Sequence, residues 1–95
     1  MLLAVRKERW LLKLYIAGPG VSSMRARQNL ERFCQQHVPG LYRIEVVDLL
    51  DRPELAREHG IVAVPTIVRE EPVPIRKAVG DLSYVERTPA LFQRF

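Results

Sequence analysis

The sequence predicts a single α/β domain with the element order β-α-β-α-β-β-α. Three observations carry that expectation. Trp10-Leu11-Leu12-Lys13-Leu14-Tyr15-Ile16-Ala17 is apolar on both faces except for Lys13, as an interior strand covered by helices must be. A helix-period stripe and then an alternating segment follow it with short links, which makes a β-α-β unit. Beyond them, Gly60-Ile61-Val62-Ala63-Val64-Pro65-Thr66 closes a second helix and opens a strand through Val-Pro-Thr. Proline has no N–H to donate, so it belongs at a strand's first residue or in a tight turn, where it can be cis.

The elements follow in order. Gly18-Pro19-Gly20 breaks the first strand, and residues 21–37 read as a helix with Ser22 or Ser23 as its cap. Ala26, Leu30, Phe33, Cys34 and His37 share one stripe, and Arg25, Asn29, Arg32 and Gln36 lie opposite. Val38-Pro39-Gly40 ends it. Residues 42–49 alternate as a second strand, with Tyr42, Ile44 and Val46 on one face. Asp51-Arg52-Pro53-Glu54 starts a helix over 51–59, with Asp51 capping, Pro53 in the first turn and Glu54 in the capping-box position. Residues 65–69 and 73–79 read as an antiparallel hairpin turned by Glu70-Glu71-Pro72. Ser83-Tyr84-Val85-Glu86 matches the capping box Ser-x-x-Glu and predicts a final helix, with Thr88-Pro89 as a second candidate start. This order is the thioredoxin-like arrangement.

A chain of 95 residues has room for one core. Residues 1–9 read as a basic lead-in and 10–95 as the domain. No apolar run reaches the roughly 18 residues of a membrane span. Met1 to Val5 is too short for a signal-peptide core, so a cytoplasmic location is expected. The single cysteine, Cys34, excludes an internal disulfide and a Cys-x-x-Cys pair. Cys34, His37 and His59 are too few for a structural zinc site, and neither metal nor cofactor is expected.

The formal charge of +4 is concentrated before Gly40, where Arg6, Lys7, Arg9, Lys13, Arg25, Arg27 and Arg32 face only Glu8 and Glu31. Such a half suits an acidic protein surface or a phosphate backbone. No nucleic-acid module accompanies it, and the aromatic signature of an RNA-recognition sheet is absent, so nucleic acid is not the expected partner.

A thioredoxin-fold enzyme carries its reactive cysteine at the start of the first helix. Here that place holds Gly18-Pro19-Gly20-Val21-Ser22-Ser23, and Cys34 lies about three turns downstream on the apolar stripe. Asp48 and Asp51 flank a strand end where ligands often bind, but capping accounts for them more simply. No catalytic constellation stands out, and the chain is not expected to be an enzyme. The alternative is a thioredoxin-like redox or anion-binding protein without a Cys-x-x-Cys.

Five collinear stretches resemble the KaiB family, small partner proteins of the cyanobacterial circadian clock. They are residues 12–18 (LKLYIAG), 23–26 (SMRA), 46–50 (VVDLL) with 53–56 (PELA), 64–66 (VPT) and 72–83 (PVPIRKAVGDLS). The resemblance implies a thioredoxin-like fold without redox cysteines and a role in binding. Family members dock on the clock ATPase KaiC, sequester KaiA and compete with a sensor histidine kinase that carries a related domain. It also implies two folds for one sequence, a β-α-β-β-α-α-β form in a homotetramer and the thioredoxin-like form that binds KaiC. By matched position, the partner-binding candidates are Lys13, Tyr15, Arg25, Arg76, Lys77 and Asp81. A KaiC-like ATPase or signalling partner, and a homo-oligomer in at least one state, are the partners implied. A clock component and a KaiB-like paralogue both fit. The chain departs from the family pattern at Pro89, in lacking a Gly-x-Asp in its last segment, and in its more basic start.

Overall fold

The computed structural model describes residues 9–84 and 90–93. The elements are β1 (Trp10–Ile16), α1 (Val21–His37), β2 (Tyr42–Asp48), α2 (Glu54–Glu58), β3 (Thr66–Glu71), β4 (Arg76–Val79) and a 3-10 turn at Ala90–Phe92. One four-stranded sheet has the order β2-β1-β3-β4. β1 pairs parallel with β2, and β3 pairs antiparallel with both β1 and β4. This is the expected thioredoxin-like arrangement. In the alternative order residues 66–79 would not form a hairpin, and here they do.

Period-2 alternation divides the core between the faces of the sheet. Leu12, Leu14 and Ile67 face α1 and pack with Ala26, Leu30, Phe33, Cys34 and Leu82, while Trp10, Leu91 and Phe92 close the far end. Tyr15 and Val68 face the other way and pack with Ile61, supported by Val47, Leu49 and Ala56. The first layer is larger because α1 runs for 17 residues and α2 for only five.

Helix α1 has the expected bounds and buried stripe, except that His37 is exposed, its ring stacked 5.0 Å from Phe92. The expected caps are replaced. Gly20 stands at the N-cap of α1 with no side-chain cap, and the Ser23 hydroxyl donates instead to Gly18 O. Asp51 does not cap α2, which starts three residues later behind Pro53. β4 begins at Arg76 rather than 73. Pro72 and Pro74 have no N–H for the ladder, which leaves this stretch as a turn. The Val64–Pro65, Glu71–Pro72 and Val73–Pro74 bonds are all cis. Ser83 and Tyr84 lie in a turn, and the rest of the expected final helix, Val85 to Pro89, falls outside the described residues, as do residues 1–8 and 94–95.

Candidate protein-interaction surface

The end of the sheet where thioredoxin enzymes do chemistry is built here from backbone and small side chains. β1 runs out into Gly18-Pro19-Gly20, α1 begins, and the cis Val64–Pro65 bond lies across from it. Ala17, Gly18, Gly20, Ser23, Val64 and Pro65 are among the residues lining a cavity of about 200 Å³. Asp48, at the end of β2, holds this corner. One carboxylate oxygen accepts from Gly18 N and from Leu50 N, each at 2.9 Å. Asp48 is therefore a tie between two loops.

Gly18 has φ of 77°, and a Cβ there would lie 2.8 Å from Leu50 Cδ1. The Leu50 side chain is exposed and can swing aside, so the left-handed backbone sets the penalty. Gly18→Ala is expected to lower stability by about 1–2 kcal/mol, read from urea unfolding.

No thiol stands at this corner. Cys34 is fully buried on α1, and burial, with the Glu31 charge adding, pushes its thiol up to about 12. A thiol held protonated at neutral pH is a poor nucleophile. Among the described residues no group of three or more His, Cys, Asp or Glu side chains could hold a metal ion.

The six candidate residues fall on two faces. Lys13, Tyr15 and Lys77 lie on the α2 side. The ladder registers Glu45, Lys13, Val68 and Lys77 in one row across all four strands. The Lys13 ammonium pairs with Glu70 at 3.2 Å. Burial alone would lower its pKa, but the hydrogen bond and charge of Glu70 outweigh it and raise the value. Tyr15 is buried, which pushes its hydroxyl up against the opposing Lys13 charge. Its ring lies 6.0 Å from that of His59. Lys77 Nζ donates to His59 O at 3.0 Å and Gly60 O at 3.4 Å, so the cation sits on the carbonyl end of α2.

Arg25, Asp81 and Arg76 lie on the α1 side. Asp81 accepts from Ser83 N at 2.9 Å, and its main-chain oxygen accepts from Asn29 Nδ2 at 2.7 Å. The Ser83 hydrogen bonds, with Arg25 nearby, hold its carboxyl below the usual range. Arg25 reaches Asp81 only at 3.8 Å, and its side chain is 56% exposed. An exposed pair at that separation contributes little. Arg76 is half-buried with an enclosed Nε that has no hydrogen-bond partner. Lys13, Tyr15, Lys77 and Asp81 thus serve the fold, and Arg25 and Arg76 retain unspent charge.

A patch that sequence reading did not single out lies beside Arg25. Val21 and Met24 are exposed, and Met24, Val46, Pro19 and Arg27 help to line a cavity of about 190 Å³ over Leu14 and Ile16. Met24 was legible as an apolar residue off the buried stripe of α1.

A thioredoxin-like sheet without a thiol at its catalytic corner is the class that fold and site define. Solved structures agree on the fold. Mitochondrial thioredoxin 3 from Saccharomyces cerevisiae superposes with a TM-score of 0.61 at 20% identity, covering 79% of this chain and 70% of that one. The N-terminal domain of Synechococcus elongatus SasA gives 0.58 at 15% identity, covering 86% and 78%. The KaiB domain family matches residues 13–93, and the chain belongs to the KaiB family. Circadian clock oscillator protein KaiB of Microcystis aeruginosa is 40% identical over 85 residues, 90% of this chain and 82% of that protein. Its namesake from Nostoc punctiforme is 43% identical over 81 residues, 85% and 78%.

Proposed function

We propose that this chain is a non-enzymatic interaction module that docks on a KaiC-like ATPase or a related signalling partner through a basic surface on the α1 side. The observation that carries the reading is the thiol-free corner at Gly18 to Ser23, with Cys34 buried in α1. The fold is kept where its usual redox chemistry has no nucleophile. Membership of the KaiB family, whose similar members are named for the circadian clock oscillator, supports binding as the retained role. Likeness in fold to the SasA domain supports a surface of the same general shape. Arg25 and Arg76 supply charge that steers and orients an acidic partner, with the exposed Met24 and Val21 beside Arg25 as apolar contact. A homo-oligomer in at least one state and a cytoplasmic location belong to the same reading.

The test is binding of purified chain to the KaiC-like ATPase of the same cell. Arg25→Glu with Arg76→Glu is expected to weaken binding about tenfold or more, with circular dichroism unchanged. Equal affinity would remove the basic surface from the proposal. Lys77 is left alone because its charge caps α2.

The redox alternative has a separate check. Cys34 is expected to resist a disulfide reagent in the native state at about pH 8 and to react fully only in denaturant. Rapid native labelling would reopen that alternative.

A further inference from the structure

Arg69 is a charged residue in β3 with no exposed surface, next to Trp10, Leu12 and Leu91 in the larger core layer. Apolar side chains would fill such a position more cheaply, because a buried guanidinium must have its donors satisfied. Nη1 donates to Leu91 O at 2.8 Å and to Gln93 O, and Nη2 donates to Pro74 O at 2.7 Å. The guanidinium carbon lies 5.1 Å from the centroid of the Trp10 ring, which stacks on Phe92 with centroids 5.5 Å apart. One planar cation therefore joins β1, the turn after β3 and the last described segment.

Residues 90–93 have little of their own to hold them. Among the described residues, the backbone bond within this segment is Gln93 N to Ala90 O at 3.1 Å. A single 3-10 turn does not persist alone in water. It is held by the insertion of Leu91 and Phe92 and by the two carbonyls that Arg69 grips. Carbonyls at the end of a helical turn carry partial negative charge, which suits a cation. The parallel ladder of β1 with β2, from Trp10 beside Tyr42 to Ile16 beside Asp48, is built from other residues.

We propose that Arg69 is a positioning residue, a latch that decides whether residues 90–93 lie docked over Trp10. With the latch closed, the aromatic group Trp10, Phe33 and Phe92 is covered. With it open, the strap lifts and Trp10 meets water while β1, β2 and α1 stay paired. Arg keeps its proton throughout the accessible pH range, so the latch answers to competition for its donors and not to pH.

The experiment is native-state amide exchange and Trp10 fluorescence on the whole chain, as wild type, Arg69→Met and Arg69→Lys. Met keeps an apolar stem and removes every donor. Lys keeps the charge and loses the fork. Exchange at residues 90–93 is expected to rise about tenfold or more in Arg69→Met beyond any rise in β1 and α1, with an intermediate rise in Arg69→Lys. Trp10 emission should shift to the red and become accessible to quencher in the same order. In the wild type, amides of 90–93 should open with little dependence on urea, below the global transition. If 90–93 exchange only with β1 and α1 in the wild type, the strap has no opening of its own and the latch is refuted. The same conclusion follows if Arg69→Met leaves 90–93 as protected as before.

Discussion

Leu14→Ala is expected to lower the free energy of unfolding by about 2–5 kcal/mol, measured by urea denaturation. Leu14 is at the middle of the sheet, with Val46 beside it on β2 and Ile67 beside it on β3. Its side chain has no exposed surface and is part of the layer against α1. Truncation removes its contacts and leaves a void between two rigid elements, which relax only in part. Domains of this size are stable by only about 5–15 kcal/mol, so the loss is a large share of the total. Val62→Ala is the control. Val62 is 94% exposed, and its truncation should stay within about 0.5 kcal/mol.

Phe92→Ala is expected to cost about 3–5 kcal/mol by the same measurement. Its ring is 5.0 Å from His37, 5.5 Å from Trp10 and 6.4 Å from Phe33, so it closes the open end of the core between α1 and β1. Aromatic contacts of this kind add to area burial. The loss cannot exceed what docking of residues 90–93 contributes, because the strap can lift before the rest unfolds. A change below about 1 kcal/mol would mean that the segment hardly packs on the sheet.

The first half of the fold was legible because its signals are periodic. The two-faced apolar run of β1, the 3.6-residue stripe of α1 and the alternation of β2 each demand one kind of element. The ends of α1 fell where Gly20 and Pro39 put them. The second half was legible in order but not in bounds. Asp51 and Pro53 looked like a cap and a first turn, yet α2 is only a five-residue helix that Lys77 braces from β4. That brace joins residues 18 positions apart, and local sequence carries no trace of it. Arg69 ended a predicted strand and gave no sign of burial, since arginine is ordinarily exposed. Its burial depends on carbonyls more than 20 positions further on.

The candidate site shows the same division. The absence of a thiol at Gly18 to Ser23 was plain in the sequence, and the buried state of Cys34 followed from its stripe. The six basic, aromatic and acidic candidates were chosen by matched position alone. Position does not reveal that Lys13 is paired with Glu70 or that Asp81 holds Ser83. Their contacts in the folded chain separate them from Arg25 and Arg76.

The central claim is that this KaiB-family chain holds the thioredoxin-like arrangement, in which a hairpin follows α2. NMR secondary shifts and cross-strand contacts over residues 51–93 test it most directly. The expected result is helical shifts at 54–58, extended shifts at 66–71 and 76–79, and contacts between Val68 and Lys77 and between Leu14 and Ile67. Helical shifts across 66–79, with no contact between Val68 and Lys77, would contradict it.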